Sequence, residues 1–268
     1  MSKIQTVKIG RLEYLQADNL TAPHCFTTRY GGVSVGHLAS LNLGTRRGDD
    51  PENVLANYRI LGEAIGFAPE DLVLTKQTHT DIVKVVGAAH RGAGLFLPDL
   101  EDCDGLITNT PGVALAAFTA DCTPILLEDP VTGAVGAVHA GWRGTVADIA
   151  GKAVAAMENA FGCKPGDIRA AIGPNIGQCC FQTDKDVPEA VLEQFGKAAE
   201  AFIEKREQKY YVNLKAVNAL ALQRAGVRDI AISDACTACQ PDRFWSHRVV
   251  GQNRGSLGAI IVCKGGTK

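Results

Sequence analysis

Residues 113–139 read VALAAFTADCTPILLEDPVTGAVGAVH, and this stretch decides the fold class. It contains three short apolar runs, which predict strands at 113–119, 124–128 and 134–139. So few residues separate the runs that turns must connect them. Parallel neighbours need long crossover connections, so the spacing favours a mixed or antiparallel sheet.

The rest of the chain supplies further strands and the helices that pack on them. Four apolar or β-branched runs predict strands at 81–86, 168–172, 230–233 and 258–263. Helices are predicted at 145–161, 187–208 and 215–224. Thr145 is expected to cap the first helix, and the charged cluster 204–209 is interpreted as the solvated end of the second. No repeat or linker divides the chain, so we predict a single α+β domain over residues 1–268.

Composition narrows the classes of function. The chain has 268 residues with a formal net charge of −2, so there is no basic excess to bind nucleic acid. No run approaches the roughly 18 apolar residues of a membrane helix, and the N-terminus lacks the apolar segment of a secretory signal. We therefore expect a cytoplasmic protein with no membrane or nucleic-acid partner.

Three metal-ligand residues stand at the ends of predicted strands. His79 precedes the strand at 81–86, Cys122 lies at the corner between two strands, and His139 ends the strand at 134–139. Taken alone, each residue is more simply interpreted as a structural histidine or a buried thiol. Together they supply two imidazoles and a thiolate, which suit Zn²⁺ or copper. Three protein ligands leave one position open, which is typical of a catalytic rather than a structural zinc site.

The sequence after His139 suggests an anion site. Arg143 lies between two glycines and next to the predicted helix N-terminus at Thr145, where unpaired N–H groups attract negative charge. An ordinary strand-loop-helix connection with a solvated arginine is the alternative interpretation.

Two motifs in this order are hard to obtain by chance: Ala120-Asp121-Cys122-Thr123-Pro124 and His139-Ala140-Gly141-Trp142-Arg143-Gly144. Further stretches that fit the same pattern are 26–34, 40–44, 48–51, 77–79, 102–105, 172–176 and 244–248. On these residues, nearly end to end, the chain resembles the YfiH-type purine nucleoside phosphorylase family, formerly described as multicopper polyphenol oxidases or laccase-like proteins.

The resemblance implies that one zinc is bound by His79, Cys122 and His139. It implies phosphorolysis of adenosine, inosine and S-methyl-5'-thioadenosine, and deamination of adenosine, with purine nucleosides and phosphate as partners. The implied fold is a sandwich of α/β/β/α layers. Asn42 and Gln77, within the matching motifs, are expected to contact substrate.

Roles for other residues follow as hypotheses. Asp121, next to Cys122, is the first candidate to move a proton in deamination, and its alternative role is to orient a ligand. Arg143 with the backbone at Thr145 is the first candidate to hold phosphate, and Arg29 and Arg254 are additional candidates.

Three other functions remain open. A hydrolase without metal could use Cys122 as nucleophile and His139 as base. A copper phenol oxidase would need many histidines, and the chain has six, mostly scattered. A non-catalytic regulatory protein could hold a structural zinc, which a fourth protein ligand would indicate.

Most of the nine cysteines are expected to be buried thiols. Cys236 and Cys239 have CxxC spacing, but no second such pair or paired histidine lies near them in the sequence. We therefore predict no metal or redox role for them, and interpret Cys179-Cys180 as packing beside a turn.

Overall fold

The computed structural model describes residues 3–266, and the strands in that range form three sheets. In chain order the strands are β1 (Ile4–Ile9), β2 (Leu12–Ala17), β3 (His24–Thr27), β4 (Leu72–Leu74), β5 (Val83–Val85), β6 (Gly105–Thr108), β7 (Ala114–Thr119), β8 (Thr123–Glu128), β9 (Val135–Ala140), β10 (Arg169–Ile172), β11 (Gln182–Thr183), β12 (Ile203–Arg206), β13 (Lys209–Val212), β14 (Asp229–Ile232) and β15 (Leu257–Val262). The first sheet has the spatial order β1-β2-β3-β15-β7-β4, the second β14-β10-β8-β9-β6-β5, and the third β11-β13-β12.

The helices complete a four-layer arrangement. Within the described residues they are α1 (Pro51–Ile65), α2 (Trp142–Val146), α3 (Ile149–Phe161), α4 (Asp186–Phe195), α5 (Leu214–Arg224) and α6 (His247–Val250). The two large sheets pack face to face, α1 covers the outer face of the first sheet, and α3, α4 and α5 cover the outer face of the second. The α+β class and the α/β/β/α layers are therefore confirmed. None of these helices is both long and apolar enough to cross a bilayer.

The central strands are apolar on both faces because each sheet lies between a sheet and a helix layer. All residues of β8, β9 and β15 are buried. Both large sheets are mixed, since β4 pairs parallel with β7, and β14 pairs parallel with β10. The remaining pairs are mostly antiparallel, as the short connections predict.

The three runs of residues 113–139 do not share one sheet. β7 pairs with β15 and β4 in the first sheet, whereas β8 and β9 form an antiparallel hairpin in the second. The chain therefore passes from one sheet to the other at residues 120–122. This crossing places Asp121 and Cys122 at an end of the interface between the sheets.

The helix predicted at 145–161 is two helices. α2 begins at Trp142 with Gly141 as its N-cap, so Thr145 lies inside it and does not cap it. Asp148 then adopts a left-handed conformation (φ 60°), and its carboxylate accepts a hydrogen bond from the Gly151 N–H to cap α3. The Asp148 side chain competes with the helical backbone and ends one helix where it starts the next.

The helix predicted at 187–208 is also shorter. α4 ends at Phe195, a 3-10 segment covers Gly196–Phe202, and β12 follows. The charged cluster at 204–209 thus lies in the hairpin of β12 and β13, with Glu207 at φ 54° in the turn. The helix at 215–224 is confirmed as α5.

The helix α1 is not among the helices predicted from the sequence. Its start has clear signals, since Asp50 accepts a hydrogen bond from the Glu52 N–H and Pro51 is the first helical residue. Its buried stripe includes Asn57 and Gly62, which interrupt the apolar period. Asn57 donates hydrogen bonds to Ser34 Oγ and the Asn42 carbonyl, so a polar network rather than apolar contact fills part of this stripe.

Candidate metal centre

The three candidate ligands come from three different elements. Cys122 lies at the crossing between β7 and β8. His139 is the second-last residue of β9, and His79 lies in the loop between β4 and β5. Their ligand atoms all lie within 4.8 Å of one another, and Cys122 Sγ is 3.9 Å from His79 Nε2. The two imidazole rings meet edge to face, with centroids 5.0 Å apart. Within residues 3–266 no fourth histidine, cysteine or carboxylate belongs to this group.

A buried carboxylate fixes both histidines. Asp104, which is fully buried, lies 2.7 Å from His139 Nδ1 through its Oδ1, so His139 Nε2 is left to face the site. The same carboxylate accepts hydrogen bonds from the backbone N–H groups of Thr78, His79 and Thr80. Asp104 therefore orients one ligand directly and holds the loop that carries the other.

The backbone is shaped to bring the ligands close. His79 (φ 62°) and Asp121 (φ 91°) are non-glycine residues in the left-handed region, which is uncommon and concentrates at functional sites. A Cβ on Gly141 would lie 2.7 Å from His79 Cδ2 and 3.4 Å from Cys122 Sγ. Only glycine at position 141 leaves room for the His79 ring beside the strand that carries His139.

The thiol and the imidazole form an ion pair when no metal is bound. Burial raises the pKa of Cys122, but the charge of His139 and hydrogen bonds from both histidines lower it to about 6. Burial lowers the pKa of His139, but Cys122 and Asp104 raise it to about 9. Burial also raises the pKa of Asp104, but its contacts with His139 and Thr80 lower it to about 2. At neutral pH this gives a thiolate and a carboxylate on either side of one imidazolium.

These side chains fit a bound metal ion. Two imidazole nitrogens and one thiolate are the ligand types that Zn²⁺ prefers, and they already lie within 4.8 Å of one another. His79 is exposed and Cys122 half-buried, so the site opens to solvent on one side. A three-ligand set that faces a cavity leaves room for a further ligand.

Two cavities meet at this centre. One has a volume of about 360 Å³ and is lined on its far side by polar residues such as Lys76, Gln77 and Arg46. The other has a volume of about 400 Å³ and carries Trp142 and Phe181. Five residues line both: Arg47, His79, Ala120, Cys122 and Arg254. The first cavity is the polar lobe and the second is the apolar lobe. Residues of the centre and two arginines lie where the two lobes meet.

Of the substrate contacts expected from the sequence, Arg254 and Gln77 line a cavity. Arg254 donates to the Gly255 carbonyl, and burial together with Arg47 lowers its pKa to about 10, so it stays charged. The Gln77 side chain accepts from the Phe118 N–H at 2.6 Å and donates to the Phe118 carbonyl at 2.8 Å. Gln77 therefore ties the loop of His79 to the end of β7.

The other four expected contacts do not line either cavity. Arg143 stacks on the Trp142 ring at 4.3 Å, and Thr145 is buried where it accepts a hydrogen bond from Asn218. Arg29 stacks on Trp245 and donates to the carbonyls of Ala39 and Pro241. Asn42 is fully buried and donates to Asp49 and Gly44. Each of these side chains has protein partners that the sequence does not reveal.

Asp121 is held by three donors. Its Oδ1 accepts from Thr237 Oγ1 at 2.6 Å, and its Oδ2 accepts from Ser246 Oγ at 3.0 Å and from the Arg248 N–H at 2.6 Å. Its carbonyl accepts from the Ile176 N–H. These contacts anchor the crossing that carries Cys122 to three distant segments.

Two residues of the candidate site, Asp104 and Arg47, were not identified from the sequence. Asp104 lies in the matching stretch 102–105 but looked like one of many acidic residues, because nothing local shows that it is buried. Arg47 lies two residues beyond Thr45 in a loop that has no strand or helix, and only the fold brings it beside Arg254. Arg47 is half-buried, and this burial lowers the pKa of its guanidinium.

Comparison with known proteins gives a consistent family. A family model described as multi-copper polyphenol oxidoreductase laccase matches residues 23–264. A purine nucleoside phosphorylase of Deinococcus radiodurans is 42% identical over 251 residues, which cover 93% of this chain and 92% of that protein. The purine nucleoside phosphorylase YlmD of Geobacillus stearothermophilus is 38% identical over 88% of this chain and 87% of its own length. The crystal structure of YlmD from the same organism superimposes with a TM-score of 0.92 over 98% of this chain and 100% of that chain, at 35% identity.

Proposed function

The chain belongs to the multi-copper polyphenol oxidoreductase laccase family, and from this premise we propose that it is a zinc-dependent purine nucleoside phosphorylase. The proposed substrates are adenosine, inosine and S-methyl-5'-thioadenosine, with inorganic phosphate as the second substrate. Deamination of adenosine is proposed as a second activity of the same centre. The observation that carries the proposal is the convergence of His79, Cys122 and His139 where two cavities meet, with two arginines in the lining that both cavities share.

The cavities suit a nucleoside and phosphate in size and polarity. Volumes of about 360 and 400 Å³ lie within the usual range for small-molecule sites. The aromatic side chains of Trp142 and Phe181 offer flat apolar surface for a purine. Arg47 and Arg254 offer paired guanidinium groups that bind phosphate by charge and by hydrogen bonds. We assign the base to the lobe with the aromatic residues and phosphate to the arginines.

Phosphorolysis exchanges one bond to the sugar for another. An oxygen of phosphate forms a bond to C1′ while the bond from C1′ to N9 of the purine breaks, and the purine leaves with the bonding electrons and takes up a proton. Arg47 and Arg254 would hold phosphate near C1′, which turns a meeting of two substrates into a reaction within one complex. Their fixed positive charges would also stabilise the charge that develops on the transferred group.

His79, Cys122 and His139 would hold the zinc, which supplies Lewis-acid chemistry: it polarises a bound group or lowers the pKa of water. Asp104 would keep His139 Nδ1 occupied so that Nε2 is the ligand atom. Asp121, whose oxygens are already shared among three donors, is proposed to position Cys122 rather than to carry a proton.

The test uses pure protein of measured zinc content with adenosine, in the presence and absence of phosphate. Adenine and ribose 1-phosphate that form only with phosphate indicate a phosphorylase, whereas inosine indicates deamination. A protein with a full zinc complement that yields neither product would overturn the proposal. Mass spectrometry of the products separates these outcomes.

Arginine variants test the phosphate site. Arg254→Gln is expected to raise the KM for phosphate roughly tenfold or more, because a charged contact worth about 1.5–3 kcal/mol is lost. Arg91→Gln removes an arginine outside both cavities and serves as the matched control. A larger effect of Arg143→Gln than of Arg254→Gln would move the phosphate site to the start of α2.

A second candidate function is favoured by one observation. Cys122, His139 and Asp104 form a continuous chain of thiolate, imidazolium and carboxylate, which is also the arrangement of a cysteine hydrolase. Such an enzyme needs no metal. Full activity after a strong chelator has removed all zinc, and rapid loss of activity on alkylation of Cys122, would favour it over the phosphorylase.

A further inference from the structure

Four cysteines outside the candidate metal centre converge at one place. Cys179 and Cys180 lie in the turn that follows Ile176, and Cys236 and Cys239 lie after β14. The four sulfur atoms all lie within 4.8 Å of one another. Cys239 Sγ is 3.5 Å from Cys179 Sγ and 3.4 Å from Cys180 Sγ, although Cys179 and Cys239 are 60 positions apart in the chain. The CxxC pair has no such partner near it in the sequence, but the fold brings Cys179 and Cys180 beside it.

These separations fit a metal ion better than a disulfide. In a tetrahedral zinc-tetrathiolate site the Zn–S bonds of about 2.3 Å place the sulfurs roughly 3.8 Å apart. The observed contacts of 3.4 and 3.5 Å, with all pairs within 4.8 Å, are close to that value. A disulfide would need one pair at about 2.05 Å and would leave two thiols of the four unpaired or form two bridges. Here each sulfur is close to all the others, which is the arrangement of four ligands around one centre.

The surroundings stabilise negative charge on Cys236. The Gly177 N–H donates to Cys236 Sγ at 3.1 Å, a contact that favours a thiolate. Lys215 is buried, with 8% of its surface exposed, and its Nζ donates to the carbonyl of Ala235, the residue before Cys236. The Lys215 ammonium is close enough to interact electrostatically with Cys236 and Cys179. Four thiolates around a divalent cation carry a net charge of −2, and a buried ammonium offsets part of it.

We propose that Cys179, Cys180, Cys236 and Cys239 bind one Zn²⁺ in a closed tetrathiolate site, in addition to the centre at His79, Cys122 and His139. Four protein ligands fill the coordination sphere, so this site is structural. Cadmium or cobalt would bind in the same way, because thiolates select soft and borderline metals. The proposal does not depend on the phosphorylase activity.

The site would join a segment that lines the apolar lobe to a segment that holds Asp121. Phe181 follows Cys180 and lines that cavity, and Arg248, which also lines it, donates to the Cys180 carbonyl. Thr237, inside the CxxC motif, donates to Asp121 beside Cys122. A metal ion at the four sulfurs would therefore hold Phe181, Arg248 and the crossing at Asp121 in fixed relative positions without contacting substrate.

The first test counts metal ions in the full chain. Protein kept reduced, supplied with excess zinc and then desalted is expected to retain two zinc ions per chain by native mass spectrometry and elemental analysis. Cys239→Ala and Cys179→Ala, at the two exposed cysteines, are each expected to retain one, and Cys122→Ala is expected to retain the other. Cys25→Ala, a buried thiol outside both groups, is the control and keeps two.

Cobalt substitution keeps the proposal testable if a variant fails to fold. Wild-type protein loaded with cobalt is expected to show the strong thiolate-to-metal charge-transfer absorption of a tetrathiolate site. Cys122→Ala should keep most of that absorption, and Cys239→Ala should lose most of it. One zinc per wild-type chain that disappears in Cys122→Ala would overturn the proposal. A disulfide among the four cysteines in reduced, zinc-supplied protein would overturn it as well.

Discussion

The centre at His79, Cys122 and His139 and the cluster of Cys179, Cys180, Cys236 and Cys239 each gather metal ligands from distant segments, yet they differ in number, type and surroundings of those ligands. The first has three mixed ligands, opens to two cavities, and is oriented by a buried carboxylate. The second has four thiols, of which only Cys179 and Cys239 are exposed, and is supported by a backbone N–H and a buried lysine. Three ligands beside a cavity indicate a catalytic metal site, whereas four protein ligands that complete the coordination sphere indicate a structural one.

The largest difference between the two groups should appear when one cysteine is removed from each. Cys122→Ala is expected to lower kcat/KM for adenosine phosphorolysis by roughly a thousandfold or more, because the reacting site loses its metal. Cys239→Ala should lower kcat/KM by less than about tenfold, because the cysteine cluster affects the reaction only through the positions of residues that line the cavity. Steady-state kinetics at saturating phosphate, with the metal content of each variant, measures both. Equal losses would abolish the distinction between a catalytic and a structural site.

Asp104→Asn tests how much the first centre depends on its buried carboxylate. The amide removes the negative charge that faces His139 Nδ1 and weakens the contacts to the loop of His79. Zinc affinity is expected to fall about 10- to 100-fold, as is typical for residues that orient a ligand. Competition with a chromophoric chelator measures the affinity.

Asp102→Asn is the matched control for that variant. Asp102 is exposed and pairs with Lys76 and Thr78 at the surface, so its loss should leave zinc affinity within about twofold. The tetrathiolate cluster lies away from Asp104, and its zinc should be unaffected in both variants. An Asp104→Asn protein with unchanged affinity would show that the histidines need no such support.

The pH dependence of zinc binding should sharpen the comparison further. With the pKa of Cys122 near 6 and that of His139 near 9, the metal-free centre at intermediate pH holds a thiolate and an imidazolium. Zinc needs neutral His139, so binding releases one proton, and affinity should rise about tenfold per pH unit from pH 6 to 9. Below pH 6 the thiol must also lose its proton, so the dependence becomes steeper, and above pH 9 it becomes flat.

Calorimetry in buffers of different ionisation enthalpy counts the released protons. Cys239→Ala protein, in which only the first centre binds zinc, isolates the signal. Affinity that is constant between pH 6 and 9 would mean that no imidazolium is displaced when the metal binds.

The smallest effect is expected at the hydrogen bond that links the CxxC segment to Asp121, next to Cys122. Thr237→Val removes the hydroxyl that donates to Asp121 at 2.6 Å in a fully buried position, and should lower the free energy of unfolding by about 1–3 kcal/mol. Turnover should fall only a few-fold, because Ser246 and the Arg248 N–H still hold Asp121. Thr237→Ser keeps the hydroxyl, so the free energy of unfolding and the turnover should both stay close to those of the wild type. Chemical denaturation and kinetics measure them, and a hundredfold loss of turnover would mean that the contact is part of the chemistry.

Much of the fold follows from local pattern. Apolar runs such as those of β8 and β15 are long enough and sufficiently β-branched or apolar to predict strands, and the end of α5 at Arg224 follows from the nearby Gly226. The break at Asp148 and the hairpin after Phe202 were not predictable in this way. In both places a side chain or a distant strand competes with helical propensity, and the sequence alone does not show which interaction is stronger.

For the first centre, the sequence by itself predicted the candidate ligands: His79, Cys122 and His139 stand at the ends of predicted strands, and their residue types suit one metal ion. Only the tertiary structure decided which partners surround them. Arg47 comes close enough to Arg254 for their charges to interact, and Cys236 Sγ comes within 4.8 Å of Cys179 Sγ, because the chain passes between two sheets and returns. Burial and proximity arise from packing of the whole chain, and no local pattern encodes them.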